Sequence, residues 1–516
     1  MRYMKLGLIY CVLPVAQLLA ASSRSINRHG NQQEARQTES VPMSSSEGKT
    51  DQSSKGKGKG KTYSPHCSNY SKGKGSYKQS YSPTSSGSYG KGKGKGHSNS
   101  PLPCPSETSP SSSPSPTTSP QPSVYDCTSP AGRNRDIYRI FADIIDSIEP
   151  NTPQAQAFDW ILNVDNTTAC NGSTWLIERY VLAVFYYTTS GASWTNNQGW
   201  LSTNNHCDNG WYGVDCDSNG MIEQIKLQWN NLSGPLPKEL GLLLSVMNLR
   251  FFQNNLYGTI PNEIYELQHL SFLDFEKNQF SGHLFGPDVF NATTLTKFRM
   301  SDNNFYGNIP SDIGVLTGLQ ELWLANNNMT GNIPDEVTNL RQLESLIVYN
   351  NDLSGVIPPD IVLMTELDWI DLSETKITGN IPERIGDLSK LQKLILQNMS
   401  LNGTIPASIS SLFNLDFLQA GGNLLTGVLP DFSNLTKLEV LVLSENSLSG
   451  SLSDIGPVLR FLDVRENMLS GTLPDAIFSL NVNTLETMYL SNNTISGPIP
   501  PRYVVNFSIH LITESA

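Results

Sequence analysis

The sequence predicts an α/β solenoid, a coil repeated twelve times with one short strand per coil paired into a parallel sheet. Three observations predict it. First, the phrase I-K-L-Q-W-N-N-L-S-G from Ile225 returns as L-R-F-F-Q-N-N-L-Y-G from Leu249, L-D-F-E-K-N-Q-F-S-G from Leu273 and L-W-L-A-N-N-N-M-T-G from Leu322, and again as M-Y-L-S-N-N-T-I-S-G from Met488. Second, its asparagine recurs at Asn230, Asn254, Asn278, Asn303, Asn327, Asn351, Asn423, Asn446, Asn467 and Asn493, with Thr375 and Met399 filling two slots. Third, the spacing is mostly 24 residues, and a fixed period of 20–30 residues marks stacked units that bury a core only together.

Each position in L-x-x-L-x-L-x-x-N-x-L-x-G-x-I-P has a physical job. The central L-x-L is a strand, its leucines inward and the intervening residues outward. Strands of successive coils lie about 4.8 Å apart, so twelve coils run roughly 50 Å. The asparagine amide bonds backbone groups of its own and adjacent coils, where buried donors and acceptors need partners. The glycine (Gly234, Gly258, Gly282, Gly307, Gly331) permits a turn that a side chain obstructs. The Ile-Pro pair (Ile260-Pro261, Ile309-Pro310, Ile333-Pro334) sends one apolar group inward and fixes an extended segment on the outer side. Thr replaces part of the asparagine's bonding at slot 375 and Met replaces none at 399, which points to a local irregularity there.

These residues resemble the plant-type leucine-rich repeat family, whose hallmark is the L-x-G-x-I-P half. The resemblance covers about residues 207–500. It implies a right-handed superhelix with its parallel sheet on the concave face. The family includes receptor ectodomains, receptor-like proteins without kinases, and secreted inhibitors of cell-wall enzymes such as polygalacturonase.

Residues 1–21 read as a secretory signal. Arg2 and Lys5 precede an apolar run from Leu6 to Ala21 that ends in small residues. The alternative is an uncleaved anchor, but the run holds Pro14 and Gln17 and falls short of the ~20 residues needed to span. No other stretch is long and apolar enough for a transmembrane helix. The expected location is extracellular, secreted or at the cell surface or wall.

Residues 22–123 are a low-complexity tail whose Lys/Gly/Ser/Pro composition predicts disorder. Residues 49–95 carry eleven lysines against one acid, Asp51; the rest of the chain holds 24 basic and 46 acidic residues, a net of −22. A basic tail on an acidic body argues against nucleic acid as the body's partner. The tail is either a solubilising spacer or a polycation for an anionic matrix. In the second case its retention on such a matrix is salt-sensitive.

Residues 124–216 form a helical cap. Ile137, Ile140, Phe141, Ile144, Ile145 and Ile148 make one helical stripe across 133–149. Thr152 and Pro153 start a second helix, faced by Phe158, Ile161 and Leu162. A third runs over 173–188 with Leu176, Ile177, Tyr180, Val184 and Tyr187 inward. C-D-N-G-W-Y-G-V-D-C, from Cys207 to Cys216, resembles the N-terminal cap of plant-type repeats and implies a Cys207–Cys216 bond that seals the solenoid end. After loss of Cys11 with the signal six cysteines remain, an even number that favours disulfides in a secreted chain. Cys127–Cys170 is the second expected bond; Cys67 and Cys104 lie in the tail. No zinc spacing is present. N-x-S/T sequons begin at Asn69, Asn166, Asn171, Asn231, Asn291, Asn328, Asn398, Asn402, Asn434, Asn492 and Asn506. Asn166, Asn171, Asn231, Asn291, Asn328, Asn402 and Asn434 are the expected glycosylation sites.

Catalytic signatures are absent: no G-x-S-x-G, H-E-x-x-H, Walker loop or kinase set. The expectation is a binding protein without cofactor or metal. Its candidate face is the outward side of the strands: Arg250, Phe272, Arg299, Trp323, Ile347, Tyr349, Trp369, Ile395 and Phe417. Aromatic and aliphatic side chains cluster on the four coils from 322 to 396, and an apolar patch there suits a protein, peptide or polysaccharide partner. Trp323→Ala with Trp369→Ala is expected to abolish capture without lowering the melting temperature. Two other readings are a cell-wall or matrix component anchored by its lysines, and an inhibitor of a secreted carbohydrate-active enzyme. Residues 501–516 break the repeat and form an irregular end.

Overall fold

The computed structural model describes residues 130–142, 148–165, 173–207, 210–452, 454–473, 477 and 485–497. The expectations for the leader, the lysine-rich tail, the Cys127–Cys170 bond, Asn166 and Asn171, and residues 501–516 fall outside these residues.

The predicted solenoid is what the chain forms. Numbering coils by their slot, from Asn230 (coil 1) to Asn493 (coil 12), each coil places one strand in a parallel sheet running from Ile222–Lys226 to Thr487–Tyr489. Register is kept because every coil presents a buried apolar residue, most often leucine, at the same place. Leu322 lies beside Leu346, Leu346 beside Ile370, and Ile370 beside Leu394. A thirteenth strand, Val214–Cys216, pairs antiparallel with Ile222–Lys226 and closes the sheet edge at the cap.

The asparagines form the expected ladder. Asn327 donates to the carbonyls of Met300, Leu324 and Ala325 and accepts from the Phe305 N–H. Asn351 repeats this one coil on, sharing the Leu324 carbonyl. The residue before each slot is left-handed: eleven non-glycine residues there have φ between 51° and 57°, and Gly422 has 66°.

The periodicity predicts one strand per coil, but the structure adds a second behind the asparagine. Coils 1–6 contribute a six-stranded sheet from Ser233–Gly234 to Asp352–Ser354, and coils 9–12 a four-stranded one from Thr426–Val428 to Thr494–Ser496. Between them only Thr378–Asn380 and Ser400–Asn402 pair, joined to either side by the single bridges Val356–Thr378 and Thr404–Thr426. The interruptions flank coils 7 and 8, the two that lack the asparagine. Thr375 there donates to the Leu372 carbonyl, and Met399 is buried. Beyond the glycine, the proline of Ile-Pro is extended as expected and starts a 3-10 turn: Pro334, with φ −71° and ψ 151°, precedes Asp335–Asn339.

Among the described residues the cap places three long helices: α1, Pro130–Ile140; α2, Pro153–Asn163; and α3, Ser173–Thr188. Helix α1 ends at Ile140, Ile144 and Ile145 of the predicted stripe fall outside the described residues, and Ile148 lies outside any helix. Thr152 caps α2 as predicted, accepting from the Ala155 N–H. Helix α3 departs from the one-face pattern, because Val181, Leu182 and Ala183 are buried as fully as Tyr180 and Val184. Its far side meets the first coil. Phe185 stacks on Phe251 at 5.2 Å, and Phe251 on Phe275 at 5.4 Å, so one aromatic column runs from cap into solenoid. At the junction Gly234 lies so close to the Thr188 carbonyl that a Cβ would sit 2.0 Å from its oxygen, which only glycine avoids. The Cys207–Cys216 disulfide is present. Arg179 and Asp165 form a buried ion pair (Nε–Oδ2 2.7 Å), with Arg179 also donating to the Ser202 and Asn204 carbonyls.

Candidate functional site

The outward residues of the strands make one continuous strip across coils 2–9, held together by cation–aromatic contacts. In the N-terminal half, Phe272 lies between Arg250 (5.2 Å) and Arg299 (5.1 Å). Arg299 then lies 4.0 Å over the Trp323 ring while its Nε donates to Glu321 at 2.5 Å. Glu321 takes Lys297 as well, also at 2.5 Å. Burial pushes the Glu321 carboxyl up, but the two bonded cations outweigh it and hold it below its ordinary range.

Trp323 and Trp369 stand two coils apart, yet their rings meet edge-on at 6.2 Å above coil 6. Trp323 Nε1 donates to Ser345 Oγ at 2.7 Å. The two indoles thereby cover coil 6, leaving Ile347 only 4% exposed and Ser345 5%. Lys393 Nζ sits 4.2 Å from the Trp369 ring and 5.8 Å from that of Phe417. Tyr349 stands beside the strip, half-buried, its hydroxyl accepting from Asn326 Nδ2 at 3.1 Å.

This corrects one expectation. The outward row is not an open apolar patch, since Ile347, Ile395 and Phe417 are each 4% exposed. Three-residue strands 4.8 Å apart let long side chains lean across their neighbours. The partly exposed side chains are Arg250, Phe272, Lys297, Arg299, Trp323, Tyr349 and Trp369, whereas Lys393 is buried with the aliphatic residues. It follows that the double tryptophan-to-alanine change would uncover Ile347 and cost stability.

Missed in the sequence were the ionic partners, though all sit in the same registers. Glu321, Lys297 and Lys393 occupy the first strand position, as Trp369 and Phe417 do. Asp371 is raised to about 6 by burial, opposed by bonds from Ser373. Burial likewise raises Asp368 and Asp416 to about 6 and Glu276 to about 8. Lys393 is pulled down by burial against the opposing pull of Asp416, Asp368 and Asp371. Beside these acids, at the strand entrances of coils 6–9, opens a groove of about 330 Å³ lined by Glu344, Glu366, Asp368, Lys390, Gln392 and Asn414. Among the described residues, the one grouping with metal-ligand spacing is His206, Cys207 and Cys216, and its two sulfurs are already joined to each other. No described helix is long and apolar enough to cross a membrane.

Residues 318–340, 342–364, 458–480 and 484–503 match the Leucine Rich Repeat family. Over 75 residues the chain is 41% identical to a probable LRR receptor-like serine/threonine-protein kinase of Arabidopsis thaliana; that stretch is 14% of this chain and 7% of the kinase's length. Among solved structures it resembles the plant peptide hormone receptor RGFR1 in complex with RGF2, at 33% identity and TM-score 0.50, covering 55% of this chain and 50% of that one. It also resembles the Arabidopsis receptor kinase HAESA in complex with the peptide hormone IDA and the co-receptor SERK1, at 28% identity and TM-score 0.53, covering 64% and 59%. Repeat, asparagine ladder and neighbours agree: the chain carries leucine-rich repeats, built like those of the plant receptor ectodomains it resembles.

Proposed function

We propose that the chain is an extracellular, receptor-like recognition protein that binds an extended peptide or protein segment across coils 2–9, without catalysis of its own. The strip of stacked cations and aromatics carries this reading. A solenoid core needs only the inward leucines, yet eight coils' worth of outward positions include an organised set of rings and charges. Such a face is rigid before a ligand arrives, so little ordering is needed on binding. The two receptor ectodomains it resembles hold peptide hormones, which supports a peptide as the ligand class.

The charge layout adds a polarity. Coils 2–4 present Arg250, Lys297 and Arg299, whereas Lys393 on coil 8 is surrounded by Asp368, Asp371 and Asp416. A peptide with its acidic end over coils 2–4 and its basic end over coils 7–9 complements both. The test is capture from a display library of extracellular peptides. Tyr349→Ala and Gln397→Trp alter half-buried side chains beside the strip and leave the leucine core intact. Each should weaken capture tenfold or more. Selected peptides whose capture ignores both changes would refute the assignment.

A further inference from the structure

Trp229 does not fit the pattern of its own slot. It precedes the asparagine of coil 1, at φ 53°. The other eleven residues in that slot are Gln253, Lys277, Asp302, Asn326, Asn350, Glu374, Asn398, Gly422, Glu445, Glu466 and Asn492, all polar or glycine. A bulky ring in the left-handed region is strained, and such strain points to a use. The ring contributes nothing to the core, being 63% exposed. It is nevertheless fixed in place: Nε1 donates to Gln253 Oε1 at 2.9 Å, and the indole and the Phe252 ring meet at right angles, 5.0 Å apart. With its N–H taken, what the exposed part of the indole has to offer is apolar ring surface.

Two residues on, Asn231 begins the sequon Asn231-Leu232-Ser233. It too is exposed and left-handed, at φ 58°. Trp229 and Asn231 both reach to coil 2, the first to Gln253 and the second to Asn255, whose Nδ2 donates to Asn231 Oδ1 at 2.9 Å. Their side chains therefore run alongside each other over the same pair of coils. Asn231 Nδ2 donates to the Ser193 carbonyl at 3.0 Å, and a glycosylated amide retains one N–H for that bond. The other sequons in the described residues lack this arrangement. Two positions before Asn291, Asn328, Asn398, Asn402, Asn434 and Asn492 stand Val289, Asn326, Leu396, Ser400, Phe432 and Leu490, and the single aromatic among them, Phe432, is 0% exposed.

We infer that Trp229 is the stacking platform for the innermost sugar of an N-linked glycan on Asn231. The apolar C–H face of an N-acetylglucosamine suits an indole surface, and its acetamido group lies within reach of the same ring. Since Ser193 belongs to the cap, the sugar would brace the joint between cap and first coil. The inference rests on export of the chain and is independent of what the concave strip binds.

The test uses the full chain secreted from a eukaryotic host and trimmed to one N-acetylglucosamine per site. Trp229→Asn is the variant of choice, because asparagine fills this slot in coils 5, 6, 8 and 12 and keeps the turn. Mass spectrometry should find Asn231 occupied. In the glycoprotein, Trp229→Asn should lower the first melting transition by about 1–3 °C. In an Asn231→Gln background the same change should leave it unmoved or raise it, and Trp229→Phe should restore part of the loss. The acetamido methyl resonance should lie upfield in the wild type and return in Trp229→Asn. An unoccupied Asn231, an equal shift in both backgrounds, or an unshifted methyl would each overturn the proposal, and so would self-association that depends on Trp229.

Discussion

Asn327→Ala tests the ladder that makes the coils one structure. Asn327 makes four bonds: to the carbonyls of Met300, Leu324 and Ala325, and from the Phe305 N–H. The partners do not suffer equally when it goes. Met300 O keeps Asn303 Nδ2, Leu324 O keeps Asn351 Nδ2, and Ala325 O keeps the Asp302 N–H. Each carbonyl is shared by successive coils, so no acceptor is orphaned. The Phe305 N–H is different, since its bond at 2.9 Å is to Asn327 Oδ1 and lies in the buried interior. One orphaned buried donor costs about 1–3 kcal/mol, and loss of the remaining net bonding adds about 1 kcal/mol, so the change should cost about 2–4 kcal/mol. Met399→Leu, in a slot with no such oxygen, should cost under about 1.5 kcal/mol. Hydrogen exchange resolved by coil is the right assay, because a repeat array need not unfold as one unit. Protection should fall around Phe305 and much less around Tyr349. Equal losses from the two variants, or an unaltered Phe305 amide, would refute the account.

Three further outcomes follow from the same contacts. Trp323→Ala, by uncovering Ser345 and Ile347, should cost about 1.5–3 kcal/mol and loosen coils 5–7 in exchange, whereas Tyr349→Ala should cost under about 1 kcal/mol. Acidification from pH 8 to 5 should raise the melting temperature: Asp371 takes up its proton near 6 when folded but nearer 4 when unfolded, so its protonated form stabilises fully below about 4 and the benefit fades as pH rises through 6. Asp368 and Asp416 act the same way, Glu276 up to about 8, and Asp371→Asn should flatten the slope; a steeper slope in that variant would contradict the assignment. Arg179→Ala should cost about 3–5 kcal/mol and melt the cap ahead of the coils, as read by near-ultraviolet dichroism of its tryptophans, because Asp165 would be left buried and unpaired.

The sequence makes the inward side legible because one rule, a leucine or asparagine at a fixed slot, acts in every coil. The second sheet was harder to see, since it runs over only two to five residues per coil, as in Ser233–Gly234 and Asn304–Asn308, and glycine occupies one of them in each of these. The Arg179–Asp165 pair escaped notice because its partners come from different elements and no period links them. The strip was half legible. Registers placed Trp323 and Trp369 on the outward side, but not that their rings close over coil 6, because side-chain direction across strands is not encoded in spacing.

Burial of the strip changes how recognition by this fold should be understood. Were the outward residues independent, each could vary freely and a ligand would order them one by one. Here Arg299 cannot move without uncovering Trp323 and releasing Glu321, and Trp369 cannot move without exposing Ile347. The face is therefore set as a unit by the same lateral spacing that builds the sheet. The irregular coils 7 and 8 carry Trp369, Asp371 and Lys393 at its centre, where the second sheet is also interrupted. Ordinary coils hold the second strand of the coil before them through the asparagine oxygen, as Asn327 does for Phe305, and slots 375 and 399 carry no asparagine. Whatever local give the solenoid has is thus placed directly beneath the part of the strip where the opposing charges converge.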